Sequence, residues 1–179
     1  MEDHRLDVGD TFLEEMTRKA HESAGEVVMV IRRPGGNVLL MTKTFYPAGV
    51  YRLPTGQIRK GERPEEALER EASEETGFRV RIERSLGAIR WTVRSGSGSV
   101  EYLSHIIITC ETTGKPAPRD IEESIAGFQV INPCDLRGIA DQLSNLPEPW
   151  RDWGRFRAIA HQFVYRELCP NGGRPSKSC

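Results

Sequence analysis

The stretch Gly56-Gln-Ile-Arg-Lys-Gly-Glu-Arg-Pro-Glu-Glu-Ala-Leu-Glu-Arg-Glu-Ala-Ser-Glu-Glu-Thr-Gly-Phe78 carries the densest chemical signal in the chain. Pro64 suits a first helical position and Gly77 the position just past a helix end, so a helix is predicted between them. Projected at about 100° per residue, Leu68, Ala72 and Ala67 mark its packed side. Glu75 falls about 20° and Glu71 about 60° from Leu68, inside that apolar sector, and Glu74 falls about 120° away, at its edge. Glu66 and Arg70 project to the far side.

A carboxylate on a packed face needs a cation, because burying it alone is costly. Residues 62–75 hold seven Glu against two Arg. Glu71 repels Glu74 and Glu75 at i,i+3 and i,i+4, and one Arg does not neutralise three carboxylates. Clustered hard oxygen ligands suit Mg²⁺ or Mn²⁺. The plainer alternative is a solvated acidic face with Glu66–Arg70 as an ordinary i,i+4 pair. Residue type alone leaves both readings open.

The full spacing decides between them. Gly56 is followed after five residues by Glu62, and Glu62 after seven by Arg70-Glu71-Ala72-Ser73-Glu74-Glu75-Thr76-Gly77-Phe78. This resembles the Nudix box of the Nudix hydrolase family at every defined position. The resemblance implies an α/β fold, a Nudix-type α/β/α sandwich with a mixed β-sheet. It also implies divalent-metal-dependent hydrolysis, by water attack, of a pyrophosphate bond in a nucleoside diphosphate linked to another moiety or in a nucleoside triphosphate. By the same resemblance the metal ligands are Glu71, Glu74, Glu75 and the Gly56 carbonyl, with Mg²⁺ or Mn²⁺ as cofactor. Arg70 orients the glutamates, Glu62 supports them, and the general base is a box glutamate or a later loop glutamate, here Glu122 or Glu123. Thr55 and Arg59-Lys60 depart from residues frequent in the family, and neither departure touches a ligand position.

Around the box, a helix is expected at residues 11–23, with Thr11 and Glu14 as a capping box. Strands at 26–31 and 37–42 flank Arg32-Arg-Pro-Gly-Gly36 as a hairpin. A second hairpin is expected from Ser85–Val93 and Val100–Thr109, and a short strand at 127–131. A helix is expected from Trp150 to Leu168, and a disordered tail at 169–179. Residues 1–168 are taken as one domain. Arg59, and Arg90 and Trp91 on the second hairpin, are candidate substrate contacts, with solvent for the arginines and core packing for the tryptophan as the plainer reading. Trp150-Arg-Asp-Trp-Gly-Arg-Phe-Arg157 reads equally as a substrate mouth or as a packing helix.

The 179 residues carry 25 basic and 26 acidic side chains. That balance excludes a polyanion-binding tail, and with it extended nucleic-acid binding. The longest strictly apolar run, Val27–Ile31, is far short of the roughly 20 residues of a membrane span, and Met1-Glu-Asp-His-Arg5 does not begin a secretory signal. The cysteines Cys110, Cys134, Cys169 and Cys179 show no metal or redox spacing. They are expected to be free thiols, with a cytoplasmic location and a small nucleotide substrate as partner. A homodimer is compatible with the sequence. The alternative function is a catalytically inactive, nucleotide-sensing binding module on the same fold. The intact box argues against it.

Overall fold

The computed structural model describes residues 1–111, 116–117 and 124–170. Its strands are β1 (Glu2–Asp7), β2 (Glu26–Arg32), β3 (Val38–Lys43), β4 (Thr55–Gln57), β5 (Val80–Ser95), β6 (Gly98–Glu111) and β7 (Ile125–Ile131). Its helices are α1 (Asp10–Glu22), α2 (Pro64–Thr76), α3 (Leu136–Ser144) and α4 (Arg151–Leu168), with a 3₁₀ turn at Pro133–Asp135. The strands form one mixed sheet in the order β1-β5-β6-β2-β3-β7. β1 runs parallel to β5 and β2 parallel to β6, and the other pairs are antiparallel.

β2 is buried at all seven residues, because helices cover both of its faces. Val28 and Val30 join Phe12 and Met16 of α1 and Phe156 and Phe163 of α4 in one core. Val27, Met29 and Ile31 join Ala67, Leu68 and Ala72 of α2 in the other. This is the expected α/β/α layering, since a two-faced sheet needs two helical layers. The edge of β2 away from β6 is divided. β4 pairs with its start, Glu26–Val28, while β3 meets it only at Arg32–Val38. The sheet opens between these partners, and β4 brings Gly56 there.

Several local expectations change. Thr11 is not the cap of α1: Gly9 is, with no side-chain cap, and the Gly9 amide instead donates to Asp152 Oδ2 at 2.8 Å. The second hairpin is longer than expected, 80–95 with 98–111. The expectation of free thiols is corrected. Cys134, in the 3₁₀ turn, and Cys169, at the end of α4, are joined in a disulfide with their Cα atoms 5.7 Å apart. None of the described cysteines is free. The packing of α3 along α4 around Ala140, Leu143 and Ala158 brings the two residues together. This removes the cysteine-based ground for the cytoplasmic expectation. No helix among the described residues is long and apolar enough to cross a membrane. Of the expected tail 169–179, residues 171–179 lie outside the described residues.

Candidate functional site

α2 begins at Pro64 and ends at Thr76, capped by Gly77, whose φ of 72° is left-handed and closes the helix without the strain a Cβ would bring. Its first turn is held by Glu66, whose carboxylate accepts from the Arg63 amide at 3.0 Å. The buried face carries Ala67, Leu68, Glu71, Ala72 and Glu75. Side-chain exposure is 1% for Glu75, 10% for Glu71 and 38% for Glu74, the order in which they project from Leu68.

Arg70 gathers the carboxylates. Its Nη1 donates to Glu71 at 2.7 Å and to Glu74 at 3.3 Å. Nε and Nη2 donate to the two oxygens of Glu62 at 3.0 and 2.9 Å, and Nη2 also reaches the Gln57 carbonyl at 2.9 Å. The hydrogen bonds from Arg70 are the main reason the Glu62 carboxyl is held below its ordinary range. The Arg59 amide donates to the same Glu62 at 2.8 Å, while the Arg59 side chain points into solvent. Arg70 therefore ties α2 to the loop before it. A second cation serves the buried carboxylate: Lys43 Nζ, at the bulged end of β3, lies 3.5 Å from Glu75 Oε1.

Gly56 faces this cluster at close range. A Cβ at position 56 would stand 2.0 Å from Glu71 Cγ and 2.3 Å from its Cδ. Only glycine leaves room for the Glu71 carboxylate against the backbone of β4. Gly56, Glu71, Glu75 and Lys43 all line one cavity of about 830 Å³, within the range of small-molecule sites. The donors are oxygens of carboxylate and carbonyl type, which fit a hard divalent cation. As they stand, no three His, Cys, Asp or Glu side chains among the described residues converge as a preformed metal group. Arg70 and Lys43 hold the carboxylates instead.

The segment carrying Gly56 is positioned by buried contacts. Arg52, 3% exposed, donates through Nε to Tyr46 Oη at 2.8 Å and through Nη1 to the Leu53 carbonyl at 2.7 Å and Thr55 Oγ1 at 3.0 Å. His161 Nε2, on α4, accepts from the Leu53 amide at 2.9 Å. Its Nδ1 then carries the proton and donates to the Arg157 carbonyl at 2.9 Å. Burial is the main reason the imidazole is held down at about 4. On another wall of the cavity, Arg157 Nη1 binds both oxygens of Glu26 at 2.8 and 3.0 Å. Burial opposes the charge on Glu26, but Arg157 and Ser104 outweigh it and keep the carboxyl below its ordinary range.

None of the three expected substrate contacts lines the cavity: Arg59 is exposed on the loop before α2, and the two on the second hairpin lie elsewhere. Trp91 is 1% exposed, packs on Phe156 at 4.4 Å between ring centroids, and donates through Nε1 to Ser104 Oγ at 2.9 Å. Ser104 in turn donates to Glu26 at 2.8 Å. Trp91 is a core residue because its strand position turns inward. The Arg90 side chain, on the opposite face of β5, lies 3.5 Å from Asp3 on β1. Neither residue lines the cavity. Glu122 and Glu123, the loop candidates for the general base, lie outside the described residues. The cavity also takes in Phe45, Tyr46, Trp150 and Trp153, of which the sequence pointed only to the segment Trp150–Arg157. Lys43, Phe45, Tyr46 and Arg52 carry no local motif. They come to the cavity from the end of β3 and the segment between β3 and β4, which no spacing rule reads.

A model of the NUDIX domain matches residues 23–153. Among solved structures, the chain is similar to a NUDIX hydrolase from Nitrosomonas europaea, with TM-score 0.58 and 19% identity over 82% of this chain and 90% of that one. It is similar to a UDP-X diphosphatase with TM-score 0.52 and 18% identity, over 90% of this chain and 73% of that one. It is also similar to a MutT NUDIX hydrolase from Burkholderia pseudomallei, with TM-score 0.51 and 22% identity over 80% of this chain and 98% of that one. At these identities the likeness is one of fold.

Proposed function

The chain belongs to the Nudix family, hydrolases of pyrophosphate bonds, and from that premise we propose that it cleaves a nucleoside diphosphate linked to another moiety, or a nucleoside triphosphate, with Mg²⁺ or Mn²⁺. The observation that carries this reading is the meeting of Glu71, Glu75 and Gly56 in one cavity beside Lys43. Glu71, Glu74, Glu75 and the Gly56 carbonyl would hold the metal. The chemistry such an ion would supply there is charge neutralisation of the pyrophosphate and a lowered pKa for the attacking water.

The protein's own part is positioning. Arg70 holds Glu71 and Glu74 from one side, so each carboxylate has a fixed oxygen and a second one to offer. Lys43 places an ammonium at the carboxylate end of the cavity, 3.5 Å from Glu75, where it would also face a substrate phosphate. Arg52 is spent on Tyr46, Leu53 and Thr55 and shapes the wall. Water is the nucleophile in this reading, because the box presents carboxylates as ligands rather than as attacking groups.

The test is a panel of nucleotides incubated with Mg²⁺ or Mn²⁺ in ¹⁸O-labelled water. One phosphate-bearing product should carry the label, and excess chelator should abolish turnover. Activity that persists in chelator would overturn the metal role. Tight nucleotide binding with no turnover on any member would favour the sensing module.

A further inference from the structure

The chain changes partners just before Gly56. Arg52 exchanges backbone hydrogen bonds with Met41 of β3, at 2.9 and 2.8 Å. Three residues later Thr55 is paired with Val28 of β2, followed by Gly56 with Val27 and Gln57 with Glu26. Leu53 and Pro54 make the crossing, in the gap where β2 and β3 separate. Both are buried, so their backbone groups need partners inside the protein. The Pro54 carbonyl accepts from the Met29 amide at 2.9 Å, and the Leu53 carbonyl from Arg52 Nη1 at 2.7 Å. Proline has no N–H. The Leu53 amide is the group left over, and neither strand takes it.

His161 supplies the acceptor from α4, at a sequence separation of 108. The imidazole is 1% exposed. Its Nδ1–H is fixed on the Arg157 carbonyl, so Nε2 is left as the acceptor. Burial, together with the charges of Arg52 and Arg157, keeps the ring neutral. The same helical turn grips the other end of the segment. Arg157 binds both oxygens of Glu26, and Glu26 is the strand partner of Gln57. Leu53 and Gln57 flank Gly56, and both are therefore held to one turn of α4. That turn lies beyond residue 153, where the match to the family ends.

Filling the space at position 161 takes only an apolar side chain. Holding a backbone amide in place takes an acceptor at a fixed point. The opposite side of the segment leaves no slack, since a Cβ on Gly56 would stand 2.0 Å from Glu71 Cγ. Any shift of the Leu53–Gly56 stretch changes where the Gly56 carbonyl stands relative to the Glu71 carboxylate.

We propose that His161 is a positioning residue for the metal site: by holding the Leu53 amide it sets the Gly56 carbonyl against Glu71, and so sets the affinity for a divalent cation. This deepens the proposed function and rests on it for the role of the Gly56 carbonyl. Hydrogen-bonding groups that orient a metal's ligands typically change its affinity by roughly 10–100-fold when lost.

The test measures Mn²⁺ binding to the full chain directly, from the electron paramagnetic resonance of the free ion, with no substrate present. His161→Asn keeps a donor for the Arg157 carbonyl but is too short to reach the Leu53 amide, and it should raise the Mn²⁺ Kd at least about tenfold. His161→Gln places an oxygen near the position of Nε2 and should bring the Kd back close to the parent's. Val164→Ala, in the core on the same helix, should lower Tm and leave the Kd unchanged. A second measurement keeps the His161 bond intact. In the parent chain Mg²⁺ should shift the ¹⁵N resonance of His161 Nε2, assigned by its loss in His161→Gln, because the amide bonded to it moves with Gly56. An unchanged Mn²⁺ Kd in His161→Asn, or an Nε2 resonance indifferent to bound Mg²⁺, would overturn the proposal and leave the metal-dependent hydrolase reading intact. So would an equal rise in Kd in Val164→Ala, which would trace the effect to lost stability. A parent chain that binds no Mn²⁺ would overturn that reading, and this proposal with it.

Discussion

His161 on α4 accepts a hydrogen bond from the backbone amide of Leu53, three residues before Gly56, at 2.9 Å. That bond requires a neutral imidazole. In the unfolded chain the group titrates near 6.5, and in the folded protein at about 4. Between these values the unfolded state binds more protons, so stability rises with pH across that window. The contribution is complete above about 6.5 and is lost as pH falls toward 4, on the order of 3 kcal/mol in all. Thermal melts from pH 4 to 7 should show this slope in the parent chain and a shallower one in His161→Gln. Equal slopes would show that the buried imidazole is not the titrating group.

The Cys134–Cys169 bond closes a loop with a sequence separation of 35 around the α3–α4 hairpin. Cross-linking a loop of this length stabilises by about 4 kcal/mol on chain-entropy grounds. Cys134→Ser, or reductant, should therefore lower Tm by roughly 10 °C. Turnover below the transition should change less than about twofold, since neither sulfur lines the cavity. A Tm indifferent to reductant would mean that the bond does not form.

The sequence declared α2 because each signal agreed: Pro64 at the start, Gly77 at the end, and Leu68 and Ala72 on one face. β1 went unread because Leu6 is its one buried residue and charged residues fill most of the rest of an outer strand. α3 is nine residues long with Gly138 inside, too short and too broken for periodicity to show. The buried order of Glu75, Glu71 and Glu74 followed from the helical projection. The aromatic wall of the cavity did not, because Phe45–Tyr46 and Trp150–Trp153 are joined only by tertiary packing. Trp91 followed the plainer of its two sequence readings, since an aromatic on a strand is drawn to a core as readily as to a ligand.

Gly56→Ala tests how closely β4 and α2 must meet. The new methyl would stand 2.0 Å from Glu71 Cγ, so Glu71 must leave its place or the strand must shift. We expect a loss of about 1–3 kcal/mol, typical of overpacking, and a fall in turnover of at least about a hundredfold, as for a lost electrostatic group. Gly127→Ala is the control, because its methyl would meet nothing nearer than 3.7 Å. Rates and melts of the two variants side by side decide the matter. A Gly56→Ala enzyme with parental turnover would detach Glu71 from the reaction.

Glu75→Gln separates stability from metal binding. Glu75 is the most buried of the three box carboxylates, and its neutral isostere removes both a desolvation cost and a repulsion with Glu71 of about 0.2–0.5 kcal/mol. The opposing loss is the attraction of Lys43 at 3.5 Å, whose side chain is 14% exposed and retains some water. These effects offset, so without metal the variant should melt within about 1 kcal/mol of the parent. Metal reverses the balance. A ligand present at about 100 times its Kd adds roughly 2.7 kcal/mol to the folded state, and Mn²⁺ should raise the parent's Tm accordingly. In Glu75→Gln that rise should largely vanish, and turnover should fall at least about a hundredfold. Glu66→Gln keeps an acceptor for the Arg63 amide on the exposed face, so its Mn²⁺ response and rate should match the parent. Melts with and without Mn²⁺, together with rates at saturating metal, read all three quantities. A Glu75→Gln protein that keeps its Mn²⁺-induced rise would place the metal elsewhere in the molecule.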